Sequence, residues 1–197
     1  MFGLTVIVST FFETATRATI NPLNFFGFFT MQSNIILIIM LLVSAGVSFS
    51  GKQQTDRLML IRGCATTYIV ITGVPYAILL SGQEAGVTLA WANSALHVVL
   101  PLYAALDWLI FSDRKALPWN KIWVALIYPV VWLIVVLIRG ATDGWFPYPF
   151  LNPAQGHGVV AFYAVAIAVA AVVFASLVWA ASRVNLARSP RARATAT

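Results

Sequence analysis

Two residues in this chain could do covalent chemistry together, a threonine and a histidine that stand far apart in sequence. Thr30 offers a hydroxyl and His97 an imidazole. A hydroxyl is a weak nucleophile until a neighbouring base takes its proton. Imidazole titrates near neutrality, which suits that task. His97 follows Asn93 and Ser94 by four and three positions, so all three share one helical face. Pro101 comes four residues later and has no N–H for the His97 carbonyl, so a kink is expected there. Thr30, Ser33 and Asn34 have the same i, i+3, i+4 spacing and form one polar stripe on an otherwise apolar stretch. Each residue also has a plainer reading. Membrane threonines commonly bond their own backbone, and a buried histidine commonly ties two helices together.

The elements that carry these residues follow from composition. Of 197 residues, 60% are hydrophobic and 9% charged. A soluble domain carries roughly 25% charged residues, so lipid must be the outer solvent here. A span needs roughly 20 mostly apolar residues. Five stretches meet or approach that length: Phe25–Phe49, Leu58–Leu80, Thr88–Phe111, Ile122–Ile138 and Gly158–Ala181. In hydrocarbon every backbone amide must be satisfied internally, so these read as helices. Met1–Phe12 is apolar but covers only about 18 Å as a helix, and Glu13 and Arg17 follow it. It is expected to be a short or tilted first span. The fold class is therefore all-α, a polytopic transmembrane helical bundle of six spans. Residues 1–182 make one transmembrane domain, and residues 183–197 a basic, disordered tail.

Charge orients the bundle. Lysine and arginine number twelve against six acidic residues. Lys52, Arg57, Arg62, Arg114, Lys115, Lys121, Arg183, Arg188, Arg191 and Arg193 fall on one side of the spans, and only Arg17 and Arg139 on the other. By the positive-inside rule both termini are cytoplasmic. The excess is a topology signal in a multi-pass protein of the plasma membrane. A nucleic-acid partner is excluded, because no soluble domain exists to hold a basic patch. In this orientation Thr30 lies roughly 8 Å and His97 roughly 13 Å below the outer surface, on helices that run the same way.

Other polar residues have supporting readings. Asn34 or Asn93 could donate to an oxyanion or orient His97. Arg139 could hold a substrate carboxylate or snorkel to the interface. Asp107, near the cytoplasmic end of its span, pairs with Arg114 or Lys121 or snorkels. His157 reads as solvated. The outer loop 139–157 is rich in aromatics and proline. It is either an interfacial anchor or a lid over an outward-facing pocket. One buried histidine without partner histidines or cysteines makes no metal site, no cofactor motif is present, and the single Cys64 can form no intrachain disulfide.

The stretches NFFGFFTMQSNIILIIMLL, LHVVLPLYAALDWLIF, LPWNKIWVALIYPVVWLIVVLIRG and WFPYPFLN, in that order, resemble the androgen-induced-gene family of six-pass membrane proteins. The bacterial branch is the nearer one, and the likeness runs from Asn24 to about Gly158. Animal members are threonine hydrolases that cleave fatty acid esters of hydroxy fatty acids, using one threonine and one histidine in the bilayer. The resemblance implies that Thr30, of the FFT segment, is the nucleophile and that His97, of the H-x-x-x-P segment, is the base. The expected partners are membrane lipids and a lipid ester substrate, with no cofactor. The alternative is a non-enzymatic membrane protein, a small transporter or lipid-binding scaffold, which the intramembrane prolines Pro75, Pro101 and Pro129 fit equally well. The absence of an evident repeat between halves weakens the transporter reading.

Overall fold

The computed structural model describes residues 1–17, 19–76, 89–110 and 115–184. Its helices are α1 (Phe2–Arg17), the short α2 (Pro22–Phe25), α3 (Phe29–Phe49), α4 (Asp56–Pro75), α5 (Ala90–Ser94), α6 (Leu100–Ile110), α7 (Val124–Thr142) and α8 (His157–Ala181). A π-helical turn, Ala95–Val99, joins α5 to α6 into one continuous rod. No strand occurs among the described residues. Five helices are long and apolar enough to cross a membrane: α3, α4, the α5–α6 rod, α7 with its 3-10 lead-in, and α8. The expected tail beyond Val184, the C-terminal part of the stretch Leu58–Leu80, and Arg114 lie outside the described residues.

Helix starts follow local chemistry. The Thr55 hydroxyl accepts from the Leu58 N–H and caps α4. Asn21 does the same for α2 through the Leu23 N–H. Pro129 sits inside α7, where it removes one backbone donor.

The expected first segment extends five residues beyond Phe12. Helix α1 has 16 residues, about 24 Å at the usual rise. Its last turn is tied by an Arg17–Glu13 ion pair. It runs antiparallel to α3: Gly3 stands against Ile38, and Phe11 against Phe25 and Phe26. Val6 and Ile7 pack with Leu37, Leu96 and Leu100. Thus α1 lies beside the first half of α3 and next to the rod that carries His97.

Lipid tails are as apolar as leucine, so packing detail and polar ties, not water exclusion, must join the helices. Phe162, Val165 and Leu102 face outward, while the Trp108 and Trp179 indoles turn inward as tethers. The Trp108 indole donates to the Val178 carbonyl at 3.0 Å, and the Trp179 indole to the Pro118 carbonyl at 3.0 Å. Arg62, counted among the cations of one side, is buried within α4, 6% exposed. It holds Asp107 at 2.7 Å, so this cation partners the carboxylate in the described structure. A carboxylate this deep is tolerated because it is paired.

The rod, α4, α7 and α8 together define two ends. Helices α6 and α8 finish, and α4 and α7 start, at a basic end that holds Arg57, Lys115, Lys121 and Arg183. The opposite, aromatic end holds the start of α3 and the loop between α7 and α8, with Trp145, Phe146, Tyr148 and Phe150.

Candidate active site

Thr30 stands in the first turn of α3, one residue after its start at Phe29. The backbone N–H groups of a first helical turn have no intrahelical acceptor, and that end of a helix carries partial positive charge. His97 is the middle residue of the π turn. There the Leu100 N–H bonds to the Ala95 carbonyl, five residues back. Such single turns inside α-helices re-aim side chains and are frequent at functional sites.

The result is direct contact. The Thr30 Oγ1 lies 3.2 Å from His97 Nε2. His97 Nδ1 lies 3.1 Å from the Asn93 backbone carbonyl. A carbonyl can only accept, so Nδ1 carries the proton and Nε2 of the neutral ring is the acceptor. Thr30 therefore donates its hydroxyl proton to Nε2. The Tyr148 hydroxyl is 3.4 Å from the same Thr30 oxygen. Since Thr30 has a single proton and gives it to His97, Tyr148 is the donor of that pair. A directed chain results: Tyr148 O–H to Thr30, Thr30 O–H to His97, His97 N–H to Asn93.

The asparagines hold this chain from behind. Asn34, fully buried, donates to the Thr30 carbonyl at 2.8 Å and to the Leu96 carbonyl at 3.4 Å. It thereby couples α3 to the π turn. Asn93 presents its main-chain oxygen to His97, while its side-chain amide donates to the Tyr76 hydroxyl. Tyr76 stacks on the imidazole, with ring centroids 4.1 Å apart and planes 20° from parallel. Gly73 lets α4 approach the π turn. A Cβ there would stand 2.9 Å from Pro101 Cβ and 3.0 Å from the His97 carbonyl oxygen.

Loop 143–156 packs against the site through Tyr148 and Phe150. Tyr148 stacks on Phe150 at 5.2 Å, Leu151 is buried, and Trp145 covers Gly27, where a Cβ would meet the indole at 2.5 Å. Arg139 clasps the base of the loop. It pairs with Asp143 at 2.7 Å, donates to Asn24 Oδ1 at 2.7 Å and lies 4.1 Å over the Trp145 ring. Its hydrogen bond holds the exposed Asp143 carboxyl below the usual carboxylate range.

Thr30, His97 and Tyr148 open together into a cavity of about 70 Å³, walled by Ile71, Trp132 and Ile167. Thr72 and Tyr76 are its other polar lining residues, and the rest of the wall is apolar. Asn34, Asn93 and Arg139 do not line it. The site thus brings the expected threonine and histidine together and moves the three expected supporting residues to positions behind them. Tyr76 and Tyr148 were not among the expected site residues. Tyr148 left only the lid alternative as a signal. Tyr76, in the same span as Pro75, left none. Among the described residues no cluster of metal-ligating side chains occurs.

The family profile described as FAR-17a/AIG1-like protein matches residues 76–182, more than half of the chain. The matched stretch contains Tyr76, His97, Arg139 and Tyr148, and Thr30 precedes it. No curated protein and no solved structure matches. On the extent of the profile match, the chain belongs to the FAR-17a/AIG1-like family, the androgen-induced gene 1 family.

Proposed function

We propose that this protein hydrolyses lipid esters within the membrane, with Thr30 as nucleophile and His97 as general base. The observation that carries the reading is the 3.2 Å contact between Thr30 Oγ1 and His97 Nε2 at the edge of an apolar cavity. His97 Nε2 takes the Thr30 proton as Oγ1 bonds to the ester carbonyl carbon. The carbonyl oxygen becomes an oxyanion beside the first turn of α3. The backbone N–H groups of that turn, which have no intrahelical acceptor, and the Tyr148 hydroxyl are the donors proposed for it. Collapse breaks the ester C–O bond, and the leaving alcohol takes the proton from His97. Water, deprotonated by the same imidazole, then attacks the acyl-threonine and releases the acid, restoring the Thr30 hydroxyl. The apolar walls suit an acyl chain, and an ester of a hydroxy fatty acid is the substrate favoured by the resemblance.

The six-span topology belongs to this proposal. Helix α1 is taken as a short first span beside the outer half of α3, both termini as cytoplasmic, and the aromatic end as outward-facing. The test is hydrolysis of a fatty acid ester of a hydroxy fatty acid by purified protein, with fluorophosphonate labelling alongside. Labelling that vanishes in Thr30→Ala supports the enzyme. Full hydrolysis in both Thr30→Ala and His97→Ala rejects this mechanism. A folded protein with neither labelling nor hydrolysis favours a scaffold or transporter.

A further inference from the structure

At the end of the bundle opposite Thr30, a pocket of about 400 Å³ is framed by the start of α4 and the segment leading into α7. Three cations, Arg57, Lys115 and Lys121, line it with one acid, Asp56. The acid is engaged by Lys115 at 2.9 Å. Arg57 and Lys121 have no carboxylate partner among the described residues. Their apolar floor includes Met59 and Leu117, each 2% exposed. The pocket thus combines cationic and buried apolar lining, at the end of the bundle where α4 starts and α8 finishes.

Its wall is fixed. The Leu117 N–H donates to Ser182 Oγ at 3.0 Å, and Arg183 Nη2 donates to the Leu117 carbonyl at 2.7 Å. The Trp179 indole holds the neighbouring Pro118 carbonyl. The loop pinned by these three hydrogen bonds to the end of α8 leads into Lys121, which lines the pocket together with Arg57.

We propose that this pocket binds the phosphate group of an anionic phospholipid. Arg57 and Lys121 take the phosphate oxygens, and the glycerol end of the acyl chains rests on Met59 and Leu117. Guanidinium and ammonium together suit a phosphate: the first gives directed, paired donors and the second a point charge. A choline head group would bring a cation of its own into the same place and is disfavoured. The site is independent of the Thr30–His97 cavity and of any activity there.

The experiment is a native mass spectrometry titration of the full chain in zwitterionic detergent. Phosphatidylglycerol, phosphatidylcholine and inorganic phosphate serve as probes. Phosphatidylglycerol is expected to bind at least about ten-fold more tightly than phosphatidylcholine. The double substitution Arg57→Gln with Lys121→Gln removes two cations and is expected to weaken it about thirty-fold. Arg57→Lys with Lys121→Arg keeps the charges and is expected to stay within about three-fold of wild type. Lys52→Gln removes a charge near the same end but outside the pocket, and is expected to cost less than about three-fold. An unchanged thermal midpoint in the Gln pair establishes its fold, since both side chains are exposed. Three results would overturn the proposal: wild-type binding by the Gln pair, equal binding of the two lipids, or inorganic phosphate binding as tightly as phosphatidylglycerol. A loss in Lys52→Gln as large as in the Gln pair reduces the effect to general charge and also rejects the site.

Discussion

His97 Nε2 meets Thr30 Oγ1 across 67 residues of sequence, and the Asn93 carbonyl four residues before His97 fixes which ring nitrogen is free to receive the threonine proton. If the two act as one unit, their losses do not add. Thr30→Ala and His97→Ala are each expected to lower kcat by about 10²–10⁴-fold, and the double variant to fall no further than the worse single one. Single-turnover hydrolysis in micelles measures this. Multiplicative losses would separate the residues.

Tyr148→Phe removes one hydroxyl and keeps the ring that stacks on Phe150. If that hydroxyl serves the oxyanion, kcat is expected to drop about 10²–10³-fold, with KM and thermal midpoint nearly unchanged. A fall in midpoint with intact kcat would assign the tyrosine to lid packing alone.

Asn93 acts on His97 through its main-chain oxygen, which any side chain preserves. Asn93→Ala deletes only the amide that holds the Tyr76 hydroxyl. Its activity is expected to stay within about ten-fold of wild type, on the scale of one hydrogen bond. A loss as deep as that of His97→Ala would mean the side chain itself takes part.

Gly73→Ala places a methyl group against Pro101 Cβ and the His97 carbonyl oxygen, neither of which can swing aside. Overpacking of this kind costs about 1–3 kcal/mol. A lower unfolding midpoint in detergent and weaker hydrolysis are expected together, because the strain falls on the π turn. Unchanged stability would show that α4 can retreat freely.

The Arg139–Asp143 clasp should resist acid. A carboxyl whose folded-state pKa is depressed adds stability above its unfolded pKa, and that contribution is lost as pH falls through the folded value. Hydrogen exchange across 143–156, corrected for intrinsic rates, is expected to stay slow through the ordinary carboxylate range near about 4 and to rise only below it. In Asp143→Asn exchange is expected to be fast at neutral pH. Opening of the wild-type loop near the ordinary value would contradict the clasp.

Much of this molecule was legible before its coordinates. Run length and composition suffice for five spans, since hydrocarbon tolerates little else. The Thr30–Ser33–Asn34 stripe and His97 stood out because polar groups are scarce in such runs, and helix direction matched their depths. The Arg62–Asp107 pair was not legible, because the two residues stand 45 positions apart in sequence. Tyr148 escaped because a loop has no periodicity from which a side chain's aim can be read. Tyr76 escaped because an aromatic in an apolar run carries no mark of the ring it stacks on. The π turn could be read from Pro101 only as a kink.

That π turn has a consequence for how the chain can change length. It amounts to one residue more than an α-helix needs to cover the same rise. Deleting a single residue between Ala95 and Val99 would let the rod relax into unbroken α-helix with the segments on either side still facing nearly as before, because the wider turn had absorbed the extra residue. Trp108 would then still reach Val178, while His97, inside the turn, would lose the aim that brings it to Thr30. The turn is thus the place where the rod can change length by one residue at the cost of the site alone, and the site is encoded by that extra residue as much as by its side chains.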